Sequence, residues 1–546
     1  YSSAASDVYK RQESEHDWVA NSHASAALSW AEGMAKGYAL QGEDRTVVAV
    51  VGDGALTGGM AWEALNNIAA EPNLRLVIVV NDNGRSYTPT VGGLANHLAG
   101  LRTNPRYEQT LSLAKRVINK IPLVGRPLYD LMHGFKTGVK DVVAPQDLFS
   151  DLGIKYTGPI DGHDLGALIN HLEQARQFGG PVIVHTITVK GKGFKAAEEN
   201  EQDRFHAVGQ IDDVTGESLT SSVQATWTDA FAEAMVQLGQ RDPRVVGITA
   251  AMLHPTGLAR FGAAFPDRIF DVGIAEQHAL TSAAGLARTG LHPVVALYST
   301  FLNRAYDQLL MDVALHGLGV TIVLDRAGVT GTDGPSHNGM WDVAMAGIIP
   351  SLQLAAPRDQ RRLEQALHRA VTVDDAPTII RYSKEKLPDD IVEVAHRGEG
   401  MSRVDVISAD RDARTLIVGY GQFVGLAVQT AELLRAQGVT ATVVDPLWAL
   451  PVSPELIDLA TEFDHVITIE DNLVEGGLGQ RLRSRLAEEG ITTPVHCFGI
   501  PHAFLQHASR SQILSTLGLT PQSVAHAVLP KLVDSSAEEF VDQPQQ

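Results

Sequence analysis

Thr46-Val47-Val48-Ala49-Val50-Val51 runs straight into Gly52-Asp53-Gly54, and Leu76-Val77-Ile78-Val79-Val80 runs straight into Asn81-Asp82-Asn83. Both runs are β-branched and almost continuously apolar, which fits parallel strands buried on both faces. Between them Gly58–Ala70 reads as a helix, with Trp62, Leu65 and Ile68 roughly on one side. A strand–helix–strand unit puts the two polar triplets at the carboxyl ends of neighbouring strands, the edge where open α/β sheets bind ligands. Gly52 and Gly54 let the backbone turn sharply and approach phosphate oxygens. Asp53 and Asn83 offer hard oxygen ligands, one charged and one neutral. That set suits a magnesium ion that also receives phosphate oxygens. Either triplet alone signals no more than a turn.

The same alternation continues outward. The first block runs from about Glu15 to Val208 and adds the strand Val182–Val189. A polar, basic stretch around Leu101–Lys140 reads as an insertion over this domain. Residues 209–224 form a Ser/Thr/Asp/Gly-rich linker. A second block, about Ala225 to Leu387, has strand candidates at Val245–Thr249, Ile269–Val272, Val294–Tyr298, Thr321–Leu324 and Thr378–Tyr382. A charged connector, Pro388–Arg414, leads to a third block with strands near Leu416–Val418, Ala441–Val444, Val466–Ile469 and Val495–Phe498. The expected fold is α/β: three doubly wound domains in series with mostly parallel sheets, over residues 13–212, 222–390 and 402–533. Residues 1–12 lack periodicity and read as a foreign leader, and the acidic, Gln-rich residues 534–546 read as a disordered tail.

The 546 residues allow about three or four domains at roughly 150 residues each. A hydrophobic share of 44% is enough for large cores. The net charge of -20 argues against nucleic acid and anionic membranes as partners. An anionic substrate would therefore need a local basic pocket. No apolar run has the length to span a bilayer. The one cysteine, Cys497, lies in a buried-strand pattern and cannot form an intramolecular disulfide. A reducing cytoplasm is the expected compartment.

In the second block, Phe270-Asp271-Val272-Gly273-Ile274-Ala275-Glu276-Gln277-His278 ends a strand and opens a helix with Glu276 in its first turn. The helix dipole favours a carboxylate there, so a capping role is one reading. The other reading is chemical. The paired triplets, with 28 residues between Gly54 and Asn83 (positions 55 to 82), match the thiamine-diphosphate signature. That cofactor needs an acid that hydrogen-bonds its pyrimidine ring, favours the imino tautomer and so promotes loss of the thiazolium C2 proton.

With Gly52-Asp53-Gly54, Asn81-Asp82-Asn83 and Ile274-Ala275-Glu276-Gln277-His278, the chain resembles transketolase-like enzymes. Longer strings narrow the match: Asp161-Gly162-His163-Asp164, Phe205-His206-Ala207-Val208, Tyr298-Ser299-Thr300-Phe301-Leu302, Asp325-Arg326-Ala327-Gly328, Asp333-Gly334 and Ser336-His337-Asn338-Gly339. From about Glu15 to Val533 these resemble the 1-deoxy-D-xylulose-5-phosphate synthase family.

The resemblance implies a transferase that joins pyruvate to D-glyceraldehyde 3-phosphate, releases carbon dioxide through a thiamine ylid, and feeds non-mevalonate isoprenoid, thiamine and pyridoxal phosphate synthesis. It implies thiamine diphosphate and Mg2+ as cofactors and a homodimer. By resemblance, Asp53, Asn83 and the carbonyl of Arg85 bind the metal. Ser22, His23, Ala24, Gly54, Ala55, Asn83 and Phe194 contact the cofactor, Phe301 stacks on its pyrimidine and Glu276 activates it. Arg304 and Arg326 meet the acceptor's phosphate. Tyr298, Asp333 and His337 surround the reacting groups, and His206 serves as donor or proton shuttle.

The chain departs from the family pattern in three places. Arg381-Tyr382-Ser383-Lys384-Glu385 stands where R-Y-P-R-G is usual, so Lys384 replaces a phosphate-binding Arg and loses its bidentate fork. Tyr87 replaces an aliphatic residue that supports the bent cofactor. A long segment that family members carry ahead of Ser22-His23-Ala24 is expected to be missing, leaving exposed apolar surface on the first sheet. Two rival readings remain: transketolase itself, with ketose phosphate donors, and a non-catalytic thiamine-diphosphate-binding homologue. Gly419-Tyr420-Gly421 and Glu475-Gly476-Gly477-Leu478-Gly479 in the third block read as turns.

Overall fold

The computed structural model describes residues 15–16, 18–19, 22–103, 149, 152–201, 203–206, 208–219 and 224–538. The leader, nearly all of the insertion and the last eight residues expected in the tail lie outside the described residues. Two compact units emerge, one of His23–Leu219 with Gly273–Ala275, the other including Thr220–Val272 and Glu276–Gln546.

The first unit is built on β1 (Val47–Gly52), β2 (Leu76–Asp82), β3 (Lys155–Asp161) and β4 (Val182–Ile187), in the all-parallel order β1-β2-β4-β3. Helices α1 (Ala27–Gln41) and α2 (Gly59–Ala69) cover one face, burying Leu28, Ala31, Leu65 and Ile68 against Val47, Ala49, Ile78 and Ile183. Helix α3 (Leu165–Phe178) lies on the other face, where Leu172 and Ala175 meet Val77, Val182 and Val184. β2 and β4 are the doubly buried strands expected. β1 is not: its residues alternate between buried and exposed, with Val48 55% and Val50 65% accessible. β1 is the edge strand, and among the described residues no helix covers its second face. Continuous apolarity therefore overstated its burial.

The second unit holds two sheets. One comprises β5 (Val245–Thr249), β6 (Ile269–Asp271), β7 (His292–Tyr298), β8 (Thr321–Asp325), β9 (Gln353–Ala355) and β10 (Thr378–Arg381), all parallel. It is flanked by α4 (Trp227–Arg241), α5 (Glu276–Arg288) and α6 (Gln360–Ala370). The other sheet has β11 (Ala395–Arg397), β12 (Val404–Ala409), β13 (Thr415–Gly419), β14 (Ala441–Asp445), β16 (His465–Leu473) and β17 (Val495–Ile500), in the order β11-β12-β14-β13-β16-β17. Its outer face packs on α7 (Val424–Arg435), and α8 (Leu478–Glu488) follows β16.

Four differences from expectation stand out here. The connector Pro388–Arg414 contains β11 and β12, which pair antiparallel and complete the third sheet. Their short apolar stretches are interrupted by charges, and those charges are used: Arg358, fully buried, donates to Asp405 at 2.7 Å and Asp445 at 2.5 Å. In addition, β15 (Trp448–Leu450) leaves the third block and pairs antiparallel with β9, closing that edge of the second sheet in the order β15-β9-β10-β8-β7-β5-β6. The last helix, Pro521–Glu538, extends into the stretch expected to be disordered. Cys497 is half-buried on β17 rather than in the core, and burial raises its thiol pKa.

Candidate active site

In the first unit, the register Gly52↔Asn81 brings the two polar triplets side by side at the sheet's carboxyl edge. Asp53, 1% exposed, opens a short 3-10 turn. Its carboxylate accepts from the Asn83 N–H at 3.3 Å and from the Thr90 hydroxyl at 2.5 Å. Asn83 Oδ1 accepts from the Arg85 N–H at 3.1 Å. A Cβ at Gly54 would stand 3.1 Å from Ser86 Cβ, so this approach leaves little room for a side chain.

Beneath this edge runs a buried chain of polar groups. Tyr156 Oη lies 2.7 Å from His185 Nδ1, and His185 Nε2 lies 2.9 Å from Asp82 Oδ2. Asp82 Oδ1 accepts from the Gly84 N–H at 3.2 Å, which sets the turn that presents Asn83. Asp53, Asn83 and the Arg85 carbonyl would make a hard oxygen set with one carboxylate. Such a set fits Mg2+ that also takes phosphate oxygens, and it is too weakly charged to hold a dication alone. Among the described residues no group of three or more His, Cys, Asp and Glu could hold a metal ion.

Lys190, which sequence reasoning passed over, lies at the same edge. It lies three residues past the end of β4, in Val189-Lys190-Gly191, so the strand-end logic that singled out Asp53 applies to it too. Its Nζ donates to the Ser86 carbonyl at 2.6 Å and lies 2.7 Å from His206 Nδ1. Burial, aided by Arg85, lowers its pKa to about 8. His206 is exposed as a residue, but its Nδ1 turns inward to Lys190 and its ring lies 4.0 Å from that of Tyr87. Burial of that inner side, then the Lys190 charge, pushes its pKa down to about 4. Phe194 packs 5.9 Å from Phe205. Ser22, His23 and Ala24 are half-buried just ahead of α1, and the neighbouring Ser25 hydroxyl donates to the Ala55 carbonyl at 2.7 Å.

In the second unit, β7, β8 and β10 end side by side in the registers Tyr298↔Asp325 and Arg381↔Leu324. The Arg326 guanidinium lies 3.9 Å over the Tyr298 ring and 2.9 Å from Asp325. Burial works against its charge, but Asp325, Tyr298 and Asp333 outweigh it and raise its pKa. Arg326 has φ +61°, a conformation costly for a residue with a Cβ and frequent at functional sites. Tyr298 stacks on Phe301 at 5.8 Å, and Phe301 meets His337 edge-on at 5.8 Å. Lys384 Nζ binds Asp333 at 2.8 Å, so two expected site residues are partners of one another. Glu276 begins α5 at 6% exposure. Burial raises its pKa, opposed by its own N–H and by the Arg304 charge. Arg304, expected on phosphate, thus acts electrostatically on Glu276.

Polar loops at the carboxyl ends of parallel strands, with Asp53 and Asn83 on one sheet and Arg326, Tyr298 and the buried Glu276 on another, place the chain in the transketolase-like class of enzymes. The match to family models is consistent with this class. Residues 3–188 match 1-deoxy-D-xylulose-5-phosphate synthase, 223–390 the pyrimidine binding domain of transketolase, and 405–524 the C-terminal domain of transketolase. A 1-deoxy-D-xylulose-5-phosphate synthase of Cutibacterium acnes is 59% identical over 519 residues, 95% of this chain and 81% of that protein. The synthase of Rhodococcus jostii is 56% identical over 95% of this chain and 79% of that protein. A solved structure described as a split gene transketolase, an inactive beta4 tetramer, aligns with a TM-score of 0.50 and 29% identity over 57% of this chain and 99% of its own. The chain belongs to the 1-deoxy-D-xylulose-5-phosphate synthase family, and is a thiamine-diphosphate-dependent transferase. Among the described residues no helix is long and apolar enough to cross a membrane.

Proposed function

We propose that this chain condenses pyruvate with D-glyceraldehyde 3-phosphate to 1-deoxy-D-xylulose 5-phosphate and CO2, with thiamine diphosphate and Mg2+ as cofactors, as a cytoplasmic homodimer whose product serves isoprenoid, thiamine and pyridoxal phosphate synthesis. The observation that carries the reading is the linked cluster Arg326, Tyr298, Phe301, His337, Asp333 and Lys384, two cations and polar groups on one sheet rim. A phosphorylated hydroxyaldehyde needs this combination: cations for its phosphate and polar groups for its hydroxyl and carbonyl.

The side chains of Asp53 and Asn83 and the carbonyl of Arg85 would hold the metal, and the backbone at Gly54 and Ala55 would lie against the diphosphate. Bound thiamine diphosphate supplies the electron sink that lets pyruvate lose its carboxylate. Carbon 1 of pyruvate leaves as CO2, carbon 2 bonds to the aldehyde carbon, and the aldehyde oxygen takes a proton. Glu276, whose pKa burial raises, would hydrogen-bond the pyrimidine ring. His206 is neutral at pH 7. Because Nδ1 accepts from Lys190, its Nε2 carries the hydrogen and is a donor. Arg326 and Lys384 receive the phosphate, Lys384 without the two-point grip of an Arg.

The test supplies magnesium, thiamine diphosphate, carbon-13-labelled pyruvate and D-glyceraldehyde 3-phosphate, and follows products by NMR. Labelled 1-deoxy-D-xylulose 5-phosphate is the expected outcome. Turnover with a ketose phosphate in place of pyruvate would make the protein a transketolase. Cofactor binding with neither reaction would make it a non-catalytic homologue.

A further inference from the structure

We propose that Asp471, on β16 of the third block, is a positioning residue for the substrate loop that carries Asp333 and His337. This rests on the reaction proposed above. Asp471 is 3% exposed and lies far along the chain from that loop. Its carboxylate accepts the Val329 N–H at 3.1 Å, the Gln422 side-chain amide at 2.7 Å and Arg510 Nη2 at 2.7 Å. Its own carbonyl accepts from Arg381 Nη2 at 3.0 Å.

These contacts reach both segments that meet the substrate. Towards Asp333, the loop closes at its base through reciprocal bonds between Gly328 and Gly339, 2.9 and 2.8 Å. Gly328 has φ +77°, and a Cβ there would stand 2.2 Å from the Asp471 carboxyl carbon. The loop backbone therefore folds directly onto the carboxylate. Arg510 braces the same strip by donating to the Val329 carbonyl at 2.6 Å. Towards Lys384, Gln422 passes the contact on, its Oε1 accepting from the Ser383 hydroxyl at 2.6 Å. The two segments then rejoin through Lys384 and Asp333 at 2.8 Å. One buried carboxylate thus sets the bases of two segments whose outer residues form an ion pair.

Both Asp471 oxygens are filled by N–H donors, so Asp471→Asn turns one acceptor into a donor facing donors. The first arm of the test is hydrogen–deuterium exchange over residues 327–339 of the full chain, which does not depend on the reaction. Exchange in Asp471→Asn should be faster there, with α1 to β4 unchanged. The second arm is kinetic: KM for D-glyceraldehyde 3-phosphate should rise about tenfold or more, while acceptor-free CO2 release from pyruvate stays near wild type. Asp471→Glu should recover part of the loss. Unchanged exchange, or an unchanged KM for the aldehyde, overturns the proposal, as does an equal loss in both kinetic readouts together with a fallen melting temperature. If the wild-type chain makes no product, the assigned reaction fails, and exchange alone decides whether Asp471 orders the loop.

Discussion

Glu276 is the acid proposed to act on the cofactor's pyrimidine ring, and its environment favours the protonated form. It sits at a helix start, where the dipole favours the charged form, yet burial wins and raises its pKa. Glu276→Gln keeps the size and removes the titrating group. We expect kcat to fall about 100-fold or more, in line with loss of acid–base assistance, with thiamine diphosphate binding retained in a fluorescence titration. Equal losses in binding and kcat would mean a structural role. His206 gives a pH test with a definite sign. With a folded value of about 4 against the ordinary 6.5, the unfolded chain takes up the proton first as pH falls. Its contribution to stability is therefore present above about 6.5 and is lost as pH falls towards 4. Lys190→Met should raise the His206 pKa, visible by NMR titration, but only part of the way, because burial is the larger cause. A value that stays put would show that Lys190 does not act on the ring. At this scale the reading had clear signals: Asp53 and Asn83 follow strands directly, and Glu276 opens the helix after a short strand. Asp471 gives none, since its partners Val329 and Gln422 lie in other parts of the chain and no spacing reveals them.

Among elements, the strands with unbroken β-branched runs were the easiest to read, and Val245–Thr249 is a strand with those bounds. The short strands β9, β11 and β15 carry three residues each, too few for a period to show. The turn before α8 was read as plain glycine geometry, and that is incomplete. Glu470 on β16 is fully buried and caps α8 from outside, accepting from the N–H groups of Leu478 at 2.6 Å and Gly479 at 3.0 Å and from Asn472 Nδ2 at 2.6 Å. A Cβ on Gly477 would fall 2.1 Å from the Leu473 carbonyl oxygen, so glycine is required for packing there. In Glu470→Gln one oxygen becomes an amide facing an N–H. We expect a loss of about 1–3 kcal/mol in urea unfolding. A midpoint equal to wild type would show that α8 does not depend on this cap.

For the molecule as a whole, the decisive element is Arg358. Its guanidinium binds Asp405 and Asp445 in the third sheet, and Nε and Nη2 donate to the Ile391 carbonyl at 3.0 and 2.9 Å. These carboxylates hold its pKa far above the ordinary value against the effect of burial. Arg358→Ala would leave buried carboxylates without their cation, a change that costs about 3–5 kcal/mol. Calorimetry should then show residues 224–538 melting earlier, or in two steps where the wild type shows one. An unchanged melting profile would mean that the shared apolar core alone joins the two sheets. Three domains in series were legible from the rhythm of strands. The fusion of the second and third into a single unit was not, because it depends on pairings between distant charges and on one displaced strand.

That displaced strand, Trp448–Leu450, sets a limit on how the gene can be divided. A polypeptide cut anywhere between Arg381 and Trp448 would strip β9 of its outer neighbour and leave its free amides and carbonyls open to any passing strand. The second and third blocks are thus tied through one shared sheet edge, and separating them would call for a replacement hem for β9. Among the described residues the first sheet shares no strand with the other two, so a cut in the linker before Thr226 would open no edge beyond the one β1 already presents.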